Sequence, residues 1–100
     1  EGVRLLENLG NHRILMLRNH GPVVMGKSLA AAFQMYWVLQ RACEIQLATM
    51  SMGQPILVPD EVIAIHQRDQ YQVAIPGGAG KADLDAMIRV LERTETDWKQ

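Results

Sequence analysis

The sequence predicts an α/β chain, in the order helix, strand, turn, strand, long helix, then two shorter helices. Three observations carry that reading. Ile14-Leu15-Met16-Leu17 is an unbroken apolar run held between Arg13 and Arg18, the pattern of a short strand covered on both faces. From Leu29 to Met52 there is no Pro and no Gly, so one helix of about 36 Å fits at 1.5 Å per residue. Leu84, Met87, Ile88 and Leu91 form an i, i+3, i+4, i+7 stripe near the C-terminal end. With 100 residues the chain holds at most one small domain.

The elements follow in order. Val3, Leu5, Leu6 and Leu9 give a short amphipathic helix, which Gly10 stops. After the first strand, Asn19-His20-Gly21-Pro22 is turn chemistry, and Val23-Val24-Met25 is the second strand, closed by Gly26. Ser28 is a good N-cap for the long helix. Gly53 and Pro55 end that helix, and Pro59-Asp60-Glu61 starts another that runs to about Arg68, with acids in its first turn. Tyr71, Val73 and Ile75 alternate, which fits a short strand or an extended linker. Pro76-Gly77-Gly78-Ala79-Gly80 reads as a flexible link, and Asp83 as the cap of the last helix.

These elements do not balance. The long helix carries apolar residues over most of its circumference: Phe33, Tyr36, Trp37, Leu39, Cys43, Ile45, Leu47 and Met50. Such a helix must be buried on more than one side. Two strands and two small helices cannot supply that cover, and a two-stranded hairpin is itself marginal in water. Cover is expected from chain preceding Glu1 or from identical chains. Trp37 in particular is expected to lie against other chain material, at a subunit contact or in the core.

Composition excludes several classes. Ten Lys+Arg against eleven Asp+Glu leave no basic excess for nucleic acid or for an anionic membrane surface. The longest apolar runs are too short to span a bilayer, and no leader peptide is legible at the start. The single cysteine, Cys43, cannot build a disulfide framework. It falls inside the long helix, where it reads as a small hydrophobe rather than a nucleophile. The expected compartment is the cytoplasm.

Candidate chemistry is sparse. Gly77 to Lys81 fails as a phosphate loop, because position 75 is Ile where a Gly is needed and position 82 is Ala where Ser or Thr must hold magnesium. His12, His20 and His66 lack the spacing of a local metal pair. His12 and His66 read as solvated or structural. His20 stands apart because it follows a buried strand directly, in a tight turn, where a rigid scaffold would position it. A metal ligand and a turn residue are equally open readings from its context alone.

The stretch from Ile14 to Gly26, with Arg18-Asn19-His20-Gly21-Pro22 between two apolar strands, resembles a signature of the class II aldolase/adducin family. The helix that follows is similar too, with Ala32-Phe33 near its start and Gln40-Arg41-Ala42-Cys43 further on. So is the closing helix around Ile88-Arg89-Val90-Leu91. The resemblance covers most of the chain and is strongest over residues 13–47.

The resemblance implies a three-layer α/β/α domain around a largely antiparallel sheet, of which residues 1–100 correspond to the C-terminal portion. The upstream half, with its His-x-His pair and acid, is not in this sequence. Catalytic members bind a divalent metal, commonly zinc, through three histidines, and His20 matches the third. The metal then holds the oxygens of a small hydroxy-carbonyl or sugar substrate, often phosphorylated, and stabilises an enediolate. Lyase, epimerase and decarboxylase chemistries share this type of site. The implied protein is cytoplasmic and acts in carbohydrate metabolism. It forms homo-oligomers, often tetramers, with no nucleic-acid or membrane partner. The metal is expected in the full-length protein only, and residues 1–100 alone are expected to be inactive. Tyr71 lies where some members place a catalytic acid, but no motif assigns it that role, and catalytic residues other than metal ligands are not assignable. The alternative is the non-catalytic, adducin-like branch, which keeps the fold for assembly without metal chemistry. Asn19-His20-Gly21 favours the enzyme, since a purely structural module has no need of an imidazole in that turn.

Overall fold

The computed structural model describes residues 2–72, 75 and 77–99. The element order is α1 (Gly2–Leu9), β1 (Ile14–Leu17), β2 (Gly21–Val24), α2 (Leu29–Ser51), α3 (Asp60–Gln72) and α4 (Lys81–Thr94). The chain is α/β, with two adjacent strands, one long helix and three shorter ones, in the order the sequence predicts.

α1 stops where Gly10 takes positive φ and donates its N–H to the Leu6 carbonyl at 3.0 Å. β1 and β2 pair antiparallel, with Ile14 opposite Val24 and Leu17 opposite Gly21. The ladder runs one bond further, from Met25 N–H to the Arg13 carbonyl at 2.8 Å. The second strand therefore begins two residues earlier than expected. Pro22, assigned to the turn by its chemistry, lies in the strand opposite Met16. Proline is tolerated there because, among the described residues, β2 pairs with β1 alone, so its other side needs no donor.

Ser28 caps α2 as expected: its backbone is extended, and its hydroxyl accepts the Ala31 N–H at 3.1 Å. Ser28→Ala should cost about 1 kcal/mol of stability, read as a fall in the denaturation midpoint of the full-length protein.

Two expectations need correction. α4 is not capped by Asp83. Its N-cap is Gly80, which has no side chain to offer, and the Asp83 carboxylate instead accepts Gln34 Nε2 at 2.7 Å, tying α4 to α2. Tyr71 does not lie on a strand, because α3 continues through Gln72. Nothing after Arg68 breaks the helix before the Pro-Gly link, so backbone hydrogen bonding propagates. Val73 and Pro76 lie outside the described residues, while Ile75 is in irregular structure.

The glycine link is also less free than its composition suggests. Gly80 is buried against the first turn of α2 at φ +80°. A Cβ there would overlap the Ala30 carbonyl and fall 2.8 Å from Gln34 Cβ. Gly80→Ala adds left-handed strain to that overlap and should cost about 2–4 kcal/mol. Gly21, at φ +108°, has nothing within 4 Å of where a Cβ would stand, so Gly21→Ala should cost strain alone and the smaller amount. Chemical denaturation of the two variants of the full-length protein, side by side, checks the order.

The imbalance expected from the sequence is present. α1 packs on β1, while α2 packs on β2 and α4. Leu9 is the one large apolar residue buried among those described. Neither face of the hairpin is fully covered, with Met16 59% exposed and Val23 38%. Trp37, expected against other chain material, is 47% exposed. Its neighbours come from its own helix at i±4: Phe33 with ring centroids 6.4 Å apart, and the Arg41 guanidinium 5.1 Å from the ring centroid. Among the described residues no helix is long and apolar enough to cross a membrane.

Candidate functional site

The hairpin tip is the best-defined place for chemistry. The register closes at Leu17 opposite Gly21, leaving Arg18, Asn19 and His20 as the loop. Asn19 takes positive φ (64°), a conformation that Asn adopts more readily than most residues. His20 N–H donates back to the Leu17 carbonyl at 3.4 Å, and Gly21 carries the chain into β2. The backbone of residue 20 is thus fixed on both sides by the ladder, while its side chain is exposed. That combination of rigid backbone and accessible imidazole suits a ligand better than a core residue.

His12 and His66 do not join it. His12 precedes β1 and His20 follows it, so they occupy opposite ends of the hairpin, and His12 is exposed. His12 borders a shallow depression of about 260 Å³ together with Arg13, Met25 and Lys27. His66 is exposed on α3. Cys43 is half-buried in the middle of α2, as expected of a small hydrophobe. Lys81, the lysine of the rejected phosphate loop, pairs with Asp85 at 2.6 Å, one turn along α4.

Among the described residues no three His, Cys, Asp or Glu side chains gather closely enough to hold a metal ion. A catalytic zinc site takes about three protein ligands. His20 supplies at most one donor, and the described residues do not by themselves form a complete metal site.

Comparisons with known proteins set this hairpin in context. Residues 1–47, which include α1, both strands and most of α2, match the family model described as Class II Aldolase and Adducin N-terminal domain. A Pseudomonas aeruginosa protein named "Putative aldolase class 2 protein PA3430" is 33% identical over 104 residues, covering 100% of this chain and 40% of its own length. Human beta-adducin is 49% identical over 91 residues, covering 80% of this chain and 12% of its own length. A crystal structure of an aldolase II superfamily protein from Pseudomonas syringae superposes with a TM-score of 0.83 at 36% identity, over 98% of this chain and 39% of that one. The chain thus spans about two-fifths of the length of the aldolase-type relatives it matches, and the match runs through the hairpin that carries His20. The chain belongs to the class II aldolase and adducin family.

Proposed function

We propose that residues 1–100 are the C-terminal portion of a class II aldolase-type domain in a metal-dependent lyase, and that His20 is one ligand of its divalent metal. The observation that carries the reading is the Asn19-His20-Gly21 turn, an exposed imidazole on a backbone locked by the β1–β2 ladder. The remaining ligands, and an acid for proton transfer, would come from outside these 100 residues. A divalent metal, zinc by resemblance, supplies Lewis acidity toward the oxygens of a small hydroxy-carbonyl or sugar substrate. What this chain's own residues contribute is placement: the hairpin register fixes the position of His20, and Gly21 permits the sharp return. The site would act in a cytoplasmic homo-oligomer.

A second reading is favoured by the 49% identity to human beta-adducin, namely a non-catalytic module of the same fold. Metal analysis of the full-length protein, purified without chelator, separates the two. About one divalent metal per chain is expected for the lyase. A folded protein with no bound metal, and none taken up on titration with zinc, would favour the adducin-like module.

A further inference from the structure

We propose that Asn19 is a positioning residue: its left-handed backbone aims the His20 imidazole out of the hairpin tip. Six glycines among the described residues take positive φ, and Asn19 is the one other residue there that does, at 64°. A side-chain-bearing residue in that region is uncommon, and backbone outliers gather at active sites and ligand clamps. This one stands immediately before His20.

The local geometry gives the conformation its consequence. His20 N–H donates to the Leu17 carbonyl, and positive φ falls on Asn19 but not on Arg18, which makes Leu17 to His20 a type II turn. Such a turn requires a left-handed residue at its third position, a place for Gly or Asn. The closing bond is 3.4 Å, long beside the roughly 2.7–3.2 Å of an ordinary N–H···O bond, so it restrains the turn weakly. The β1–β2 ladder ends at the Leu17–Gly21 pair and leaves residues 18–20 outside it. The torsions of Asn19 and Gly21, φ +64° and +108°, then set the direction in which the Cα–Cβ bond of His20 leaves the chain between them.

The amide of Asn19 does not hold the turn. Its side chain is exposed and makes no hydrogen bond to a described residue. The need is for the backbone conformation, which Asn reaches readily, Gly freely, Ala at a cost and a β-branched residue hardly at all. A residue that leaves the left-handed region turns over the peptide group between positions 18 and 19 or shifts the Cα of residue 20. Either change rearranges what surrounds the imidazole.

This rests on the ligand role of His20 in the proposed function. The test is zinc titration of the full-length protein against a chelating dye, for Asn19→Gly, Asn19→Ala and Asn19→Val beside His20→Ala. Asn19→Val should lose about 10–100-fold in affinity, the usual effect of removing a group that orients a metal ligand, and Asn19→Ala about tenfold. Asn19→Gly should stay within about threefold of wild type, because glycine keeps the turn. NMR of the metal-free proteins gives a second readout. The His20 ring resonances should move in Asn19→Ala and hold in Asn19→Gly, with the cross-strand contacts between Ile14 and Val24 kept in both. Wild-type zinc affinity in both Asn19→Ala and Asn19→Val would overturn the proposal. So would an Asn19→Gly variant as weak as Asn19→Ala, since the amide itself would then be the group that matters. Loss of the cross-strand contacts in Asn19→Ala would overturn it as well and leave Asn19 a structural turn residue. Unchanged affinity in His20→Ala, or no zinc uptake by wild type, is a separate result: it would overturn the ligand role of His20, and with it any ligand for Asn19 to position.

Discussion

His20→Ala in the full-length protein should lower divalent-metal affinity by at least two orders of magnitude while leaving the fold in place. A change in a residue that merely orients a metal ligand costs ~10–100-fold in affinity, so deleting a ligand outright should cost more. The fold should tolerate the change because the imidazole is exposed and makes no side-chain hydrogen bond to a described residue. The turn is held by backbone instead: the Leu17–Gly21 pair, the His20 N–H and the positive φ of Asn19. A shift of less than about 1 kcal/mol in stability is therefore expected, as for most surface substitutions away from such features. Metal content by mass spectrometry, alongside a thermal melt of the metal-free protein, reads both quantities. Wild-type metal affinity in the variant would remove His20 from the ligand set. A large stability loss with no metal in either protein would make it a structural turn residue.

The legible parts of the fold are those set by local chemistry. The run Ile14–Leu17, the Gly10 stop and the Ser28 cap each act through neighbours within a turn or a strand, and the structure forms the strand, the stop and the cap at those residues, although the strand is not covered on both faces. The departures come from longer-range terms. The start of β2 at Gly21 depends on pairing with Leu17, which composition does not reveal. The start of α4 is set by Gly80 closing on Ala30, fifty positions earlier, so a local carboxylate such as Asp83 is free to bind Gln34 instead. Tyr71 reads in sequence as part of a short strand or an extended linker, because alternation over three residues is a weak pattern, and α3 instead continues through Gln72. At the candidate site the His20 turn is legible because its register is local. Its partners are not, because among the described residues no three metal-binding side chains gather.

Residues 1–100 made alone should not give a compact, cooperatively melting monomer. A folded monomer of 11.2 kDa exposes about 5,700 Å², whereas this chain exposes 9022 Å². The radius of gyration agrees, 16.8 Å against about 13 Å for a compact domain of this length. The excess is roughly 3,300 Å², and apolar side chains contribute to it: Leu29, Ile45 and Leu47 on α2 are each about two-thirds exposed or more. Apolar surface on that scale either finds a partner or leaves the helices without the packing that holds most helices together. α2 is the element at stake. Its ion pair Arg41–Glu44 at 3.0 Å is exposed and adds little, so its stability must come from burial. Sedimentation velocity should show associated material, and a circular-dichroism melt should be broad. A sharp melt from an 11.2 kDa species would mean that α1, the hairpin and α4 cover α2 better in solution than their exposure implies.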